Sequence, residues 1–453
     1  MGYYLTKIYL ALSIMKRANE LIFERLAFSN RGVRFFYLID NKLYSYFSTL
    51  DNSKIELDYD TKHCIAAHIG LSYLIDLANI CCPKRIKIKT IKLSPEQLDF
   101  WKWIYENIAI ERAYDEKNKL LFLNTHWETF GKIFDLKNTK NKVRKKRILL
   151  AVSGGKESLT VLKIFEEAKA KILLFFFDYL DKNSFYAKRA YAKLAKKYPL
   201  FKINSSISHT DALSKKYRCK DYSLFVIGQL IFNALLVKDE FDYLVIGNEY
   251  SSNFGNTIYR GQPVNHQFDK TIEFAQKVNT YVREFIDNDF TYFSPFFGFY
   301  EYKIAKRFFS DKKYLDIWTS CNNSNKKHNF CCQCSKCAFI YIVSLPFINN
   351  TILNKHFWKN PLKNLGLCKP LIDFDEIKPT DCVGEKEECW LSLYKASKNR
   401  NYSSLPVVEF FGTNILPKIQ QKLSLIESKI NEEHTKYKYI PKEFKKLVMD
   451  QMR

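Results

Sequence analysis

At 453 residues the chain has material for two or three domains with their own cores. Its 72 Lys and Arg against 48 Asp and Glu leave a formal charge of +24, which favours anionic partners such as nucleic acid, nucleotides or phosphorylated metabolites without choosing among them. No stretch of about 18 residues is continuously apolar, the best candidate at 171–180 being broken by Asp178, so no membrane span is expected.

Residues 1–20 hold an apolar run but lack a basic start and a small-residue cleavage site, which argues against a secretory signal. The Met-Gly start carries little weight as a myristoylation signal, since Thr6 sits in a tyrosine-rich context. Residues 1–140 read as an N-terminal α+β domain, with an apolar helical run at 63–80, a short strand at 85–93 and an amphipathic helix from Ser94. There Ser94 is the predicted N-cap, Pro95 the first helical residue and Gln97 the capping-box partner. Residues 142–147, KVRKKR, are the one dense basic run and read equally well as a linker.

From 147 to 345 short apolar strands alternate with helices: strands at 147–152, 171–177, 200–204 and 241–247, and helices from 156, near 184–198 and near 221–238. This alternation predicts an α/β fold with a doubly wound, mostly parallel sheet whose ligand lies beyond the strand C-termini. Residues 346–453 read as a C-terminal, mainly helical region with a long helix-like stretch at 413–437.

The first strand of the α/β region runs straight into Ser153-Gly154-Gly155-Lys156-Glu157-Ser158. Two glycines let the backbone turn sharply toward an anion, two serine hydroxyls can donate to oxygens, and the following helix aims free N–H groups at the same point. The glycine spacing differs from Walker A, and such turns also occur as plain strand-to-helix connections. Asp178 follows the second strand and Asn248-Glu249 the fourth, so three polar stretches converge on one sheet edge. After Glu249 come Asn253, Arg260, Asn265, His266 and Lys270, a polar density that is costly unless it faces ligand or water. His266 titrates near neutral pH, and Arg260 and Lys270 can pair with carboxylate or phosphate; a solvated loop is the plain alternative.

Cys321, Cys331, Cys334 and Cys337 have the spacing of a knuckle that suits tetrahedral zinc, with Cys332 as an extra thiol able to replace Cys331. Free core thiols or a redox-active pair are the competing readings. Clustered thiols without a secretory signal point to a reducing compartment, the cytoplasm by default.

The SGGKES loop resembles the SGGxDS loop of PP-loop ATP pyrophosphatases, with Glu157 where that family has Asp. Most of the chain resembles the MurL family of ATP-dependent UDP-N-acetylmuramoyl-L-alanyl-L-glutamate epimerases: residues 69–105, GNEYSSN at 247–253, VNHQFDKTIEF at 264–274, Ser320-Cys321-Asn322 with CCQCSKC at 331–337, and KPTDCVGEKEEC at 378–389. The resemblance implies a sheet of PP-loop (HUP-like) type, ATP, Mg²⁺ and structural Zn²⁺, and conversion of the terminal L-glutamate of a UDP-muramoyl dipeptide to D-glutamate with release of AMP and diphosphate, in peptidoglycan precursor synthesis. Ser153, Gly154, Gly155, Lys156 and Ser158 would hold phosphates, and Glu157 or Asp178 would place the metal or nucleotide. Glu249 and His266 are the candidate proton-transfer groups, with Lys270 in the catalytic set. Arg260 or Lys270 would receive substrate carboxylates, and Asn248, Asn253 and Asn265 would contact substrate. The alternative is a PP-loop enzyme acting on tRNA or a 7-deazapurine precursor. The +24 charge favours it, but no RNA-binding module is recognisable, and a thiolase needs a reactive cysteine pair that zinc would consume.

Overall fold

The computed structural model describes residues 16–51, 55–134, 136, 146–168, 170–179, 185–206, 210–219, 225–321, 323–324, 327–398, 402 and 404–453. The apolar N-terminal run up to residue 15, most of the basic run (142–145) and Asn322 of the serine-cysteine-asparagine block lie outside them.

Among the described residues ten strands form one sheet: β1 (Glu20–Phe28), β2 (Gly32–Ile39), β3 (Lys42–Leu50), β4 (Arg85–Ile88), β5 (His126–Thr129), β6 (Arg147–Ala151), β7 (Lys171–Tyr179), β8 (Leu200–Ser206), β9 (Tyr243–Val245) and β12 (Tyr292–Phe293). A separate hairpin pairs β10 (Thr257–Tyr259) with β11 (Gln262–Val264). The order across the large sheet is β12-β9-β6-β7-β8-β3-β2-β1-β4-β5. Pairing is parallel from β12 to β8 and again from β1 to β5, and antiparallel from β8 to β1. Within the parallel stretch from β8 to β12 the strands run third, second, first, fourth, fifth in chain order. Such a sheet has a switch point beside its first strand, here β6, where ligand crevices open.

The helices are α1 (Tyr59–Cys81), α2 (Pro95–Asp115), α3 (Lys156–Glu167), α4 (Phe185–Leu194), α5 (Thr210–Tyr217), α6 (Val226–Ala234), α7 (Ile272–Phe285), α8 (Glu301–Phe309), α9 (Ser335–Ser344), α10 (Asn350–His356), α11 (Lys386–Ser397), α12 (Leu423–Asn431) and α13 (Lys442–Gln451), with shorter turns between them. Alternate residues of the central strands feed two cores. Leu149 and Phe175 face the side covered by α1, α2, α6 and α7, while Ile148, Leu150 and Leu174 face α3, α8, α9 and the C-terminal helices. Both faces of β6 and β7 are therefore dry, which is why they read as continuous apolar runs.

The N-terminal strands follow from local chemistry. Asp40 and Asn41 both adopt positive φ (46° and 65°) in the two-residue connection between β2 and β3, the conformation that matches strand twist in tight hairpins. The capping box at Ser94 and Gln97 forms as the sequence predicts. α1 is long and apolar enough to cross a membrane by length and composition, but its apolar window is wholly buried inside the protein, so it serves as a core helix. Its last carbonyls, at Asn79 and Ile80, accept hydrogen bonds from the buried Arg112 of α2.

Two expectations change. The strand at 85–93 is only four residues long, since pairing with β1 and β5 ends at Ile88. The stretch at 413–437 is not one helix: a π-type turn at Phe411–Ile415 and short pieces around Pro417 precede α12, which ends at Asn431. Proline lacks the N–H that a continuous helix needs.

Candidate functional site

A cavity of about 750 Å³ opens at the C-terminal ends of β6 and β9, where the strand order reverses. The β6–α3 loop forms one wall. Gly154 sits at φ +83°, and a methyl there would lie 2.9 Å from Cβ of Ala190, so only glycine makes this turn without strain. Gly155 is the N-cap of α3 and offers no side-chain cap, which leaves the helix start facing the cavity. Gly247, at the end of β9, comes so near the first turn of α3 that a Cβ would lie 3.0 Å from Cβ of Glu157.

Of the residues singled out from sequence, Ser153, Gly155, Glu157, Ser158, Asn248, Glu249, His266 and Lys270 line this cavity. Lys156 is fully buried, and its ammonium is tied to the carboxylates of Glu157 and Glu301 rather than turned to the open space. Asp178 lies at the end of β7, 3.3 Å from Lys202 and 3.8 Å from Lys188. Asn253 accepts from the backbone N–H of Ile272 at 2.8 Å near the start of α7, and Asn265 braces its own loop through Ser252 and Gln267. Arg260 occupies the turn of the β10–β11 hairpin, its guanidinium over the Tyr259 ring. These last four, with Gly154 and Lys156, do not line the cavity.

Several residues that motif reading passed over do line it: Glu301 at the start of α8, Asp269, Lys336 in the first turn of α9, and Cys382. Glu111, near the C-terminal end of α2, reaches in behind His266, with 2.7 Å between its Oε1 and Nδ1 of the imidazole. The backbone N–H of His266 donates to Asn256 Oδ1 at 2.8 Å. Nothing local in the sequence marks Glu111 as a partner of a residue 155 positions away. Cys382 was visible only as part of the 378–389 block.

Burial and charge set the protonation pattern. Burial would lower the His266 pKa, but hydrogen bonding with Cys382 and Glu111 raises it well above the usual imidazole value. The Cys382 thiol, which burial would push up, is drawn down to about 6 by Lys270, Lys336 and His266. Burial pushes Asp269 up to about 7, against the backbone N–H of Ile227, which it accepts at 2.7 Å. Burial likewise raises Glu249 and Glu301. Glu157 goes the other way, because the charge of Lys156 outweighs its burial. Acids whose protonated form burial favours, beside a thiol drawn toward its thiolate and a histidine whose charged form its partners favour, can give and take protons near neutral pH.

Behind the loop, Cys321, Cys331, Cys334 and Cys337 bring their sulfurs within 4.8 Å of one another, with Cys331 Sγ 3.5 Å from Cys334 Sγ and 3.6 Å from Cys337 Sγ. Zinc bound tetrahedrally at about 2.3 Å separates its sulfurs by roughly 3.8 Å, so the four thiols could hold it. Cys332 is not in the set: its backbone is left-handed (φ 57°) and its buried thiol turns to the carbonyl of Phe330. The segment before Cys321 backs the β6–α3 loop, with Thr319 N–H donating to Gly154 O at 2.8 Å and Ser320 Oγ accepting from Lys156 N–H at 3.3 Å.

Fold and site together define a mostly parallel α/β protein with a strand-end cavity suited to proton exchange beside a glycine-capped helix N-terminus. The family model of the MurL N-terminal domain matches residues 226–295, and that of the MurL C-terminal domain matches residues 317–425. Over 199 residues, 42% of this chain and 44% of the relative, the chain is 29% identical to the UDP-N-acetyl-alpha-D-muramoyl-L-alanyl-L-glutamate epimerase of Xanthomonas oryzae pv. oryzae. It is 30% identical over 189 residues, 40% of this chain and 41% of the relative, to the enzyme of the same description from Salinispora tropica. On these matches the chain is similar to MurL proteins over part of its length, and it spans less than half the length of these curated relatives. The matched domains contain Asn248 to Lys270 on one side of the cavity and Thr319 to Lys336 with Cys382 on the other; the SGGKES loop lies outside both.

Proposed function

We propose that the protein epimerises the terminal L-glutamate of UDP-N-acetylmuramoyl-L-alanyl-L-glutamate to D-glutamate in peptidoglycan precursor synthesis, at the expense of ATP. The observation that carries this reading is the meeting, in one cavity, of a helix start whose N-cap is a glycine with a set of buried acids, a histidine and a lysine from the MurL-like segments. The chemistry asks for both. A carboxylate's charge makes the neighbouring Cα–H very weakly acidic; transfer of AMP to that carboxylate, with release of diphosphate, removes the charge. A base then takes the proton, reprotonation on the opposite face inverts Cα, and water returns the free carboxylate and AMP.

Ser153, Ser158 and the N–H groups of the loop would hold the phosphates, and Glu157, at the cavity wall, would face Mg²⁺. The region from 147 to 345 would then be a PP-loop type domain, flanked by the α+β region 1–140 and the helical region 346–453. Glu249 would transfer a proton and His266 would act beside it in the same proton network, with Lys270 placed to receive a substrate carboxylate; Arg260, Asn253 and Asn265 would act from the surrounding loops. Zinc in the four-thiol cluster would be structural, since a closed four-cysteine set leaves no open position. The nucleotide-linked substrate and twelve cysteines outside any disulfide fit a cytoplasmic location.

The test is incubation with ATP, Mg²⁺ and the L-Ala-L-Glu nucleotide in D₂O. Deuterium at the glutamate Cα together with AMP is expected; AMP without deuterium would sink the epimerase. The net charge of +24 favours the tRNA or 7-deazapurine reading, and AMP formation stimulated by tRNA but not by the dipeptide nucleotide would select it.

A further inference from the structure

Cys382 sits on the loop 378–385 that leads into α11 and lines the same cavity as the β6–α3 loop. It is held from three directions. Its own N–H donates to Asp381 Oδ1 at 2.8 Å, while Asp381 Oδ2 accepts the N–H of Lys336 at the start of α9 at 3.0 Å. His266 is locked by Glu111 on Nδ1 and by Asn256 on its backbone, which leaves the other ring nitrogen for the thiol. Lys270 supplies a positive charge toward the same sulfur and also toward Glu249.

We propose that Cys382 is the catalytic base of this cavity, removing the Cα proton as a thiolate, and that His266 and Glu111 are a positioning pair that holds it in place and in charge. The inference deepens the epimerase reading and rests on it. The sulfur forms an S–H bond with the departing Cα proton, and the electron pair of the broken C–H bond moves into the activated carboxyl group as an enolate. Glu249, whose protonated form burial favours, supplies the proton to the opposite face. The turnover leaves a thiol and a carboxylate, which return to thiolate and acid by exchange with water. The groups facing the sulfur set its state: Lys270 from the turn before α7, Lys336 from α9 and His266 favour the thiolate, while Asp381 on its own loop and Asp269 oppose it. Near-neutral ionisation is what a thiol needs to act as a base at physiological pH.

The experiment uses the full chain with ATP, Mg²⁺ and the dipeptide nucleotide in D₂O, reading AMP and Cα deuterium separately, alongside iodoacetamide modification of Cys382 followed by peptide mass. Cys382→Ser should lose about a hundredfold or more in Cα exchange while AMP release falls by less than about tenfold. In the wild type, modification of Cys382 should rise with an inflection near pH 6, moving up by about a unit in His266→Gln, a shift that a merely structural histidine would not produce. Exchange within about threefold of wild type in Cys382→Ser, or a wild-type inflection above about pH 8, overturns the proposal. If Cys382→Ser does not fold, the wild-type modification profile and its suppression by the dipeptide nucleotide decide. Absence of AMP from the wild type overturns the substrate reading; intact AMP with unaltered exchange in the variant overturns only the role of the thiol.

Discussion

Gly154 combines a positive φ with a neighbour 2.9 Å from where its Cβ would stand. Gly154→Ala should therefore cost about 1–3 kcal/mol in chemical unfolding and impair ATP-dependent turnover, because either the turn or α4 must shift. Among the thiols, Cys332→Ser should retain zinc, whereas Cys334→Ser should lose most of it, read as metal per chain by mass spectrometry. Equal loss in both variants would show that the cluster is misassigned. The spacing of the cysteines announced a metal site but left Cys331 and Cys332 interchangeable. Only the left-handed backbone at Cys332, which turns its thiol away, separates them.

At the scale of elements, two helix ends depend on partners from distant sequence. Arg112 of α2, only 1% exposed, satisfies the last carbonyls of α1 and pairs with Glu116 at 3.0 Å. Arg112→Ala should destabilise the protein by about 3–5 kcal/mol, since it strips a buried pair and leaves a helix end without donors. Asp269 serves the other end, accepting N–H groups at the start of α6. With its carboxyl raised to about 7, the native state keeps a proton that the unfolded chain releases near pH 4, so stability falls as pH rises through that window. Asp269→Asn keeps an acceptor and has no proton to lose. Its stability relative to wild type should improve from pH 4 to pH 7 by up to about 1.4 kcal/mol per unit, measured by denaturant midpoints; a constant difference would refute the shifted carboxyl. Capping signals such as Ser94 and Gln97 are local and were readable; Arg112 and Asp269 act across more than thirty positions and were not.

Across the whole molecule a single sheet joins the N-terminal meander to the parallel strands, through the antiparallel pairing of β3 with β8. Tyr73 of α1 braces that seam, its hydroxyl 2.8 Å from Ser48 Oγ on β3 and 2.7 Å from Ser205 Oγ on β8. Tyr73→Phe should cost about 1–3 kcal/mol and leave zinc content unchanged, because it strands two buried hydroxyls without opening a cavity. An unchanged unfolding midpoint would show that the seam does not depend on this bridge. What the sequence by itself determined is local or periodic: the apolar strand leading into a glycine-serine turn, the βα alternation that makes the sheet mostly parallel, the capped helix at Ser94 and the knuckle spacing of the cysteines. These need only neighbours along the chain. Tertiary structure decided the rest. It tied Lys156 to Glu157 and Glu301, kept Asp178 and Arg260 out of the cavity lining, and set Glu111 behind His266 and Cys382 beside it. Those relations depend on which strand ends meet at the switch point and which charges share a dry space there, and no spacing along the chain encodes either.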